Sequence, residues 1–153
     1  MKKLLKLMVV AALLCGGWSC NTPIDDVEKE PEIEVTLYNI SGSWKLGEWS
    51  GHTLQDDNFV YIDFVRSDRT YTMYQNVDSF GTRVITGRFN LYLDETIGKQ
   101  VLRGDYANGV GDWNHRYIVE RLTASTMVLV ALDDSSDICT YHREEIPAEI
   151  RGE

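Results

Sequence analysis

The sequence predicts an all-β domain, an antiparallel eight-stranded up-and-down barrel. Three observations predict it. Apolar and polar residues alternate with period two in short runs through most of the chain after Gly42. Turn residues separate those runs at about ten-residue spacing. No stretch of ten or more residues with helical periodicity intervenes in the strand region, which excludes parallel crossovers, since each needs a dozen or more residues. Closing such a meander removes the strand edges that invite aggregation. Eight strands enclose just enough space for packed side chains or one small ligand.

Taken in chain order, Lys2, Lys3 and Lys6 precede an apolar run from Leu7 to Leu14 and the small residues Gly16, Gly17 and Ser19. That is the build of a bacterial secretory signal over residues 1–19. The run is too short to span ~30 Å of hydrocarbon, which takes about 20 residues. Cys20, directly after the small residue, resembles a lipobox cysteine, whose thiol takes a diacylglyceryl group and becomes the mature N-terminus. The competing reading is a plain secretory signal with a soluble product, because Gly17 and Trp18 are less usual lipobox residues. Residues 20–35 then carry Pro23, Pro31 and the acids Asp25, Asp26, Glu28, Glu30, Glu32 and Glu34. Such a stretch buries too little apolar area to offset the cost of ordering it, and reads as a flexible acidic tether. Acids close behind a lipidated cysteine also resemble the surface-export signal of Bacteroidetes lipoproteins. The expected location is the outer membrane, lipid-anchored, on its periplasmic or cell-surface side.

Ile33 to Ile40 reads as a short helical turn, and the barrel domain spans 36–146, followed by a tail at 147–153. Strands are expected at 43–50, 58–66, 69–77, 82–93, 99–107, 114–122, 125–132 and 137–144. In the fourth, Ile85, Gly87, Phe89, Leu91 and Leu93 share one face; in the third, Tyr71 and Met73 oppose Thr70 and Thr72; in the eighth, Cys139, Tyr141 and Arg143 oppose Thr140 and His142. The run from Met127 to Leu132 is apolar on both faces, which predicts cover on both sides. Ser67-Asp68, Ser79-Phe80-Gly81, Asn108-Gly109 and Thr123-Ala124 supply the hairpin turns.

The formal charge is −9, and loss of residues 1–19 with their three lysines makes it −12. A chain so anionic is repelled by nucleic-acid phosphates, so a nucleic-acid partner is not expected. Of three cysteines, Cys15 leaves with the signal and Cys20 carries the lipid, which leaves Cys139 alone. No internal disulfide is then available, and Cys139 reads as a buried core thiol rather than a nucleophile.

Gly42-Ser43-Trp44, opening the first strand after a helical turn, resembles the Gly-x-Trp motif of lipocalins. Arg143, in Tyr141-His142-Arg143, stands where that family places an arginine that packs across the tryptophan. Ile62-Asp63-Phe64 through Ser67 to Thr72, and Leu122-Thr123 to Leu129, resemble strands of the lipocalin-like lipoproteins of Bacteroidetes. The resemblance covers about residues 36–146 and implies a barrel closed at one end by Trp44 and Arg143, with a small, partly apolar ligand inside. The chain lacks the disulfides and the long helix after the barrel found in secreted vertebrate-type lipocalins.

Chemistry-bearing motifs are few. His52, His115 and His142 lie on separate segments without metal-ligand spacing. The acidic pairs Asp56-Asp57, Asp94-Glu95 and Asp133-Asp134 fall between strands, where Asp stabilises turns; Asp133, Asp134 and Asp137 form the best, still weak, calcium candidate. No nucleophile elbow, phosphate loop or paired-cysteine spacing is present, so neither an enzymatic activity nor a cofactor is expected. Trp49 and Trp113 flank the barrel rim, and with Tyr71, Met73 and His115 they are the candidate ligand-binding residues. The expected role is that of a monomeric, lipid-anchored, non-catalytic binding protein. Its ligand would sit in or at the mouth of the barrel. The alternatives are a glycan-binding surface lipoprotein using the rim tryptophans, or a protein-interaction or inhibitor module.

Overall fold

Thr36 leads into the first helix with its side-chain oxygen, which accepts the Asn39 backbone N–H at 3.2 Å and caps the four-residue helix α1 (Leu37–Ile40). The computed structural model describes residues 30–107 and 111–153. The signal segment, Cys20, the first part of the tether and the Asn108-Gly109 turn lie outside them.

Among the described residues ten strands follow in order: β1 (Gly42–Trp49), β2 (His52–Thr53), β3 (Val60–Val65), β4 (Thr70–Gln75), β5 (Arg83–Asp94), β6 (Lys99–Tyr106), β7 (Gly111–Asp112), β8 (Tyr117–Leu122), β9 (Thr126–Ala131) and β10 (Ile138–Arg143). A short helix, α2 (Ala148–Arg151), lies in the C-terminal tail. Apart from the two-residue β2 and β7, the strands are the eight that period-two alternation predicts. Each pairs antiparallel with its neighbour in the order β1-β3-β4-β5-β6-β8-β9-β10. Pairing of β10 back onto β1, from Trp44 opposite Arg143 to Trp49 opposite Cys139, closes the barrel.

Alternation decides which side chains enter. Ile62 and Phe64 of β3, Tyr71 of β4, Phe89 of β5, Leu102 of β6, Leu122 of β8 and Met127 of β9 are all buried around Trp44. Phe64 and Phe89 meet edge to face with centroids 4.8 Å apart. This packed half is the closed pole. The β3–β4, β5–β6 and β8–β9 turns surround it, together with α1. At the other pole the β1–β3, β4–β5, β6–β8 and β9–β10 loops frame a mouth.

The closed pole is built by the Gly-x-Trp segment. Trp44 is fully buried, and its indole N–H donates to the Ile40 carbonyl at 2.8 Å. Arg143 stacks on its ring, 4.0 Å from the centroid. Gly42 has φ 104°, and a Cβ there would stand 3.0 Å from the Arg143 guanidinium. Both the left-handed backbone and the close guanidinium therefore demand glycine.

Three expectations need correction. The acidic segment is docked from Glu30 onward: its carboxylate accepts the Thr123 hydroxyl at 2.6 Å, and the Ile33 N–H donates to the Leu122 carbonyl at 2.8 Å. Ile33 and Val35 pack against the core, which supplies the apolar burial that composition alone did not suggest. Leu93, assigned to the inner face of its strand, is 54% exposed, because β5 runs to Asp94, six residues past the Arg88–Thr70 pair that ends its ladder with β4. Val128 and Val130 of β9 point outward and remain partly exposed; their neighbours in register, Thr140 and Ile138 of β10, shield them without a covering layer.

Candidate functional site

The mouth is shaped by an irregularity in β1. Leu46 faces Tyr141, but the register shifts before Glu48, which faces Thr140, so that Trp49 faces Cys139. The extra residue turns Trp49 back to the side that Leu46 and Tyr141 occupy, the usual effect of a β-bulge. Trp49 thus overhangs the interior with half its surface exposed, and its indole N–H donates to Asp137 Oδ1 at 2.7 Å.

Asp137 is the hub of this rim. Its side chain is only 13% exposed. Besides Trp49, it accepts the Tyr117 hydroxyl on Oδ2 at 3.4 Å, while Cys139 Sγ lies 3.9 Å from Oδ1. His115 Nε2 stands 3.9 Å from Oδ2, and its Nδ1 is 2.8 Å from Asp133 Oδ1. That hydrogen bond, reinforced by the negative charges of Asp133, Asp137 and Asp134, raises the imidazole above its ordinary pKa. Burial first, then the Asp137 charge, pushes the Cys139 thiol up to about 12 and raises the Tyr117 phenol as well.

Trp113 reaches the interior by a different route. Beyond Leu102 opposite Tyr117, β6 leaves β8 and pairs with β7 instead. Trp113 then lies against the β6 backbone at Gly104, where a Cβ would fall 2.2 Å from the indole. Its N–H donates to the Tyr71 hydroxyl at 2.9 Å, which in turn donates to the Asp105 carbonyl at 2.9 Å. Trp113 and Tyr71 meet edge to face at 5.2 Å.

Above the packed half, an inner chamber of about 250 Å³ is lined by Ile62, Phe64, Met73, Trp113, Tyr117, Met127, Leu129 and Tyr141, with Asp137 and His115 toward the rim. It adjoins a wider vestibule of about 750 Å³ that shares Trp49, Met73, Tyr117, Cys139 and Tyr141, and adds Gln75, Val77 and Ile85. The combination of a mainly apolar wall and a few convergent polar groups is that of a small-molecule pocket.

The sequence-derived candidates therefore separate. Trp49, Met73, Trp113 and His115 all line the chamber. Tyr71 does not: it is 1% exposed and works as the post that holds Trp113. His52 sits exposed on β2 opposite Trp49, and His142 lies exposed on the outside of β10 opposite Lys45. The calcium candidates point to different partners. Asp133 holds His115, Asp134 Oδ1 accepts the Ser136 N–H and hydroxyl at 2.9 and 2.6 Å, and Asp137 holds Trp49. Among the described residues, no cluster of three His, Cys, Asp or Glu side chains is arranged to hold a metal. Among the same residues, no helix is long and apolar enough to cross a membrane.

Tyr117, Tyr141 and the central place of Asp137 were missed from the sequence. The pairs they form are long-range, Trp49 to Asp137 spanning 88 positions, and only the inward alternation of β8 and β10 carried a hint of them. Comparison with protein-family models, with curated proteins and with solved structures yields no match to this chain.

Proposed function

We propose that this protein is a non-catalytic binding protein that holds a small, partly apolar ligand at the mouth of its barrel, anchored to the bacterial outer membrane by a lipid on Cys20. The observation that carries the binding reading is the unfilled upper half of the barrel. Tyr71, Phe89 and Met127 fill the lower half, whereas Met73 and Leu129 face open space. The state of the mouth groups supports a role without catalysis. A Cys139 thiol with a pKa of about 12 stays protonated. Support for the anchor comes from the order of charged, apolar and small residues ahead of Cys20.

Titration with N-phenyl-1-naphthylamine, a neutral fluorescent probe, tests the binding reading. Saturable enhancement is expected in the unaltered protein, and loss of it in the chamber-filling variant Leu129→Trp. Enhancement that survives the filling, or is absent throughout, removes the reading. For the anchor, palmitate labelling that disappears in Cys20→Ala, with release of soluble protein, is the expected result; an unlabelled parent protein defeats it.

The half-exposed ring of Trp49 favours a second reading, stacking against a sugar ring at the rim. It requires that Trp49→Ala abolish retention on a glycan array while leaving the naphthylamine signal in place.

A further inference from the structure

The charge of the chamber constrains what enters it, and this inference rests on the binding reading above. Among the described residues lining the inner chamber there is no Lys or Arg, and Asp137 is its one carboxylate. The carboxylate is 13% exposed, so little water shields it, and a second negative charge brought beside it is strongly disfavoured. Its oxygens are also incompletely used. Oδ1 accepts the Trp49 N–H at 2.7 Å, but Oδ2 has only the long 3.4 Å bond from Tyr117, and a carboxylate accepts about four hydrogen bonds. The rings of Trp49, Tyr117 and Tyr141 line the same chamber as this carboxylate. Aromatic faces attract cations through their quadrupoles.

We propose that the ligand carries a cationic nitrogen, a primary or quaternary ammonium, seated against Asp137 Oδ2 among Trp49, Tyr117 and Tyr141, with its apolar body in the chamber below. An anionic amphiphile such as a fatty acid is the ligand class this arrangement rejects.

His115 modulates the site. Its Nε2 faces Oδ2 at 3.9 Å, so the imidazolium competes with an incoming ammonium. Closest to this cluster are Asp133 on Nδ1, Asp134, which adds negative potential, the neutral thiol of Cys139 and the neutral phenol of Tyr117. Arg103, Asp112 and Arg116 line a separate cleft on the other side of His115, and Arg83 lines the vestibule paired with Asp78; none of them lines the inner chamber. Deprotonation of His115 therefore leaves the mouth more negative and more receptive to a cation.

Calorimetry with 2-phenylethylamine, 2-phenylethanol and 3-phenylpropanoate, which share one apolar body, tests the assignment. The expected order is amine, alcohol, carboxylate, with the amine favoured over the alcohol by roughly tenfold. Asp137→Asn is expected to bring the amine down to the level of the alcohol while circular dichroism reports an intact barrel. In the unaltered protein, amine affinity should rise as pH is raised above 6.5 through the folded pKa of His115, with the alcohol unchanged. An amine no tighter than the alcohol, a carboxylate that binds best, or an amine affinity independent of pH overturns the cationic assignment and leaves the binding reading standing. Failure of all three compounds and of the neutral probe overturns both.

Discussion

Arg143 lies across the face of Trp44 and ties the end of the last strand to the start of the first. Its guanidinium also donates to three backbone carbonyls, Ala124 at 2.9 Å, Ser41 at 2.9 Å and Asn39 at 2.7 Å. Charged donors of this kind contribute about 1.5–3 kcal/mol each when well placed, and the stack adds about 0.5–2. Because these contributions overlap, Arg143→Met is expected to destabilise the barrel by about 2–4 kcal/mol in urea denaturation. Arg143→Lys should recover a minor part, since an ammonium cannot reach three carbonyls in one plane. A loss within ~0.5 kcal/mol for Arg143→Met would show that the stack does not hold the pole together.

Adding one methyl group at Gly104 should dislodge Trp113. The new Cβ falls 2.2 Å from the indole, and strain of this kind costs about 1–3 kcal/mol. Gly104→Ala should therefore lower stability and red-shift tryptophan emission. Combining it with Trp113→Ala should make the two losses less than additive. Full additivity in the double variant would mean that the two positions do not share one constraint.

Stability should vary with pH through the His115–Asp133 pair. His115 is held above 6.5 in the folded protein, chiefly by its hydrogen bond to Asp133. Its contribution is therefore complete below 6.5 and fades as pH rises through the folded value. Asp133 is held below 3.8, chiefly by the same bond, so its share is present above 3.8 and fades as pH falls through the folded value. The pair should stabilise most between 3.8 and 6.5. Melting temperatures of His115→Asn should differ from those of the parent most in that window and converge on them at alkaline pH. A constant offset across the range would contradict the assignment.

Glu30 should behave as a latch for the segment that follows it. Its carboxylate is held below 4.5, first by the Ser125 hydroxyl and then by that of Thr123. This contribution is present above 4.5 and lost as pH falls through the folded value. In Glu30→Ala, hydrogen exchange at the Ile33 amide, which bonds to Leu122, should accelerate without comparable change in the β1–β10 seam. Unchanged protection at Ile33 would assign the docking to Ile33 and Val35 instead.

The barrel was legible because its information is local. Period-two alternation in β4, β5 and β10 placed Tyr71, Phe89 and Tyr141 inside from neighbours one and two positions away. The Trp44–Arg143 pair was legible through a resemblance and not through spacing, since 99 positions separate the two. The mouth was less legible because it depends on departures from regularity. Without the bulge after Leu46 the parity of β1 would send Trp49 outward, and nothing in Gly47-Glu48 announces that shift. Asp137 was read as part of a weak calcium cluster, because its value lies in Trp49 and Tyr117, which the closure of the barrel brings to it. The docking of residues 30–35 was hidden by their acidity: Glu30 is matched to hydroxyls of a turn, and Glu32 to Arg121 at 3.7 Å, partners that composition cannot display.

The latch at Glu30 also gives the molecule a direction. It grips the β8–β9 turn, beside Arg143 and at the opposite end from Trp49, so the described chain begins at the sealed bottom of the cup. Whatever joins the chain at Glu30 therefore meets the barrel at its sealed pole, away from the open rim that Trp49 overhangs.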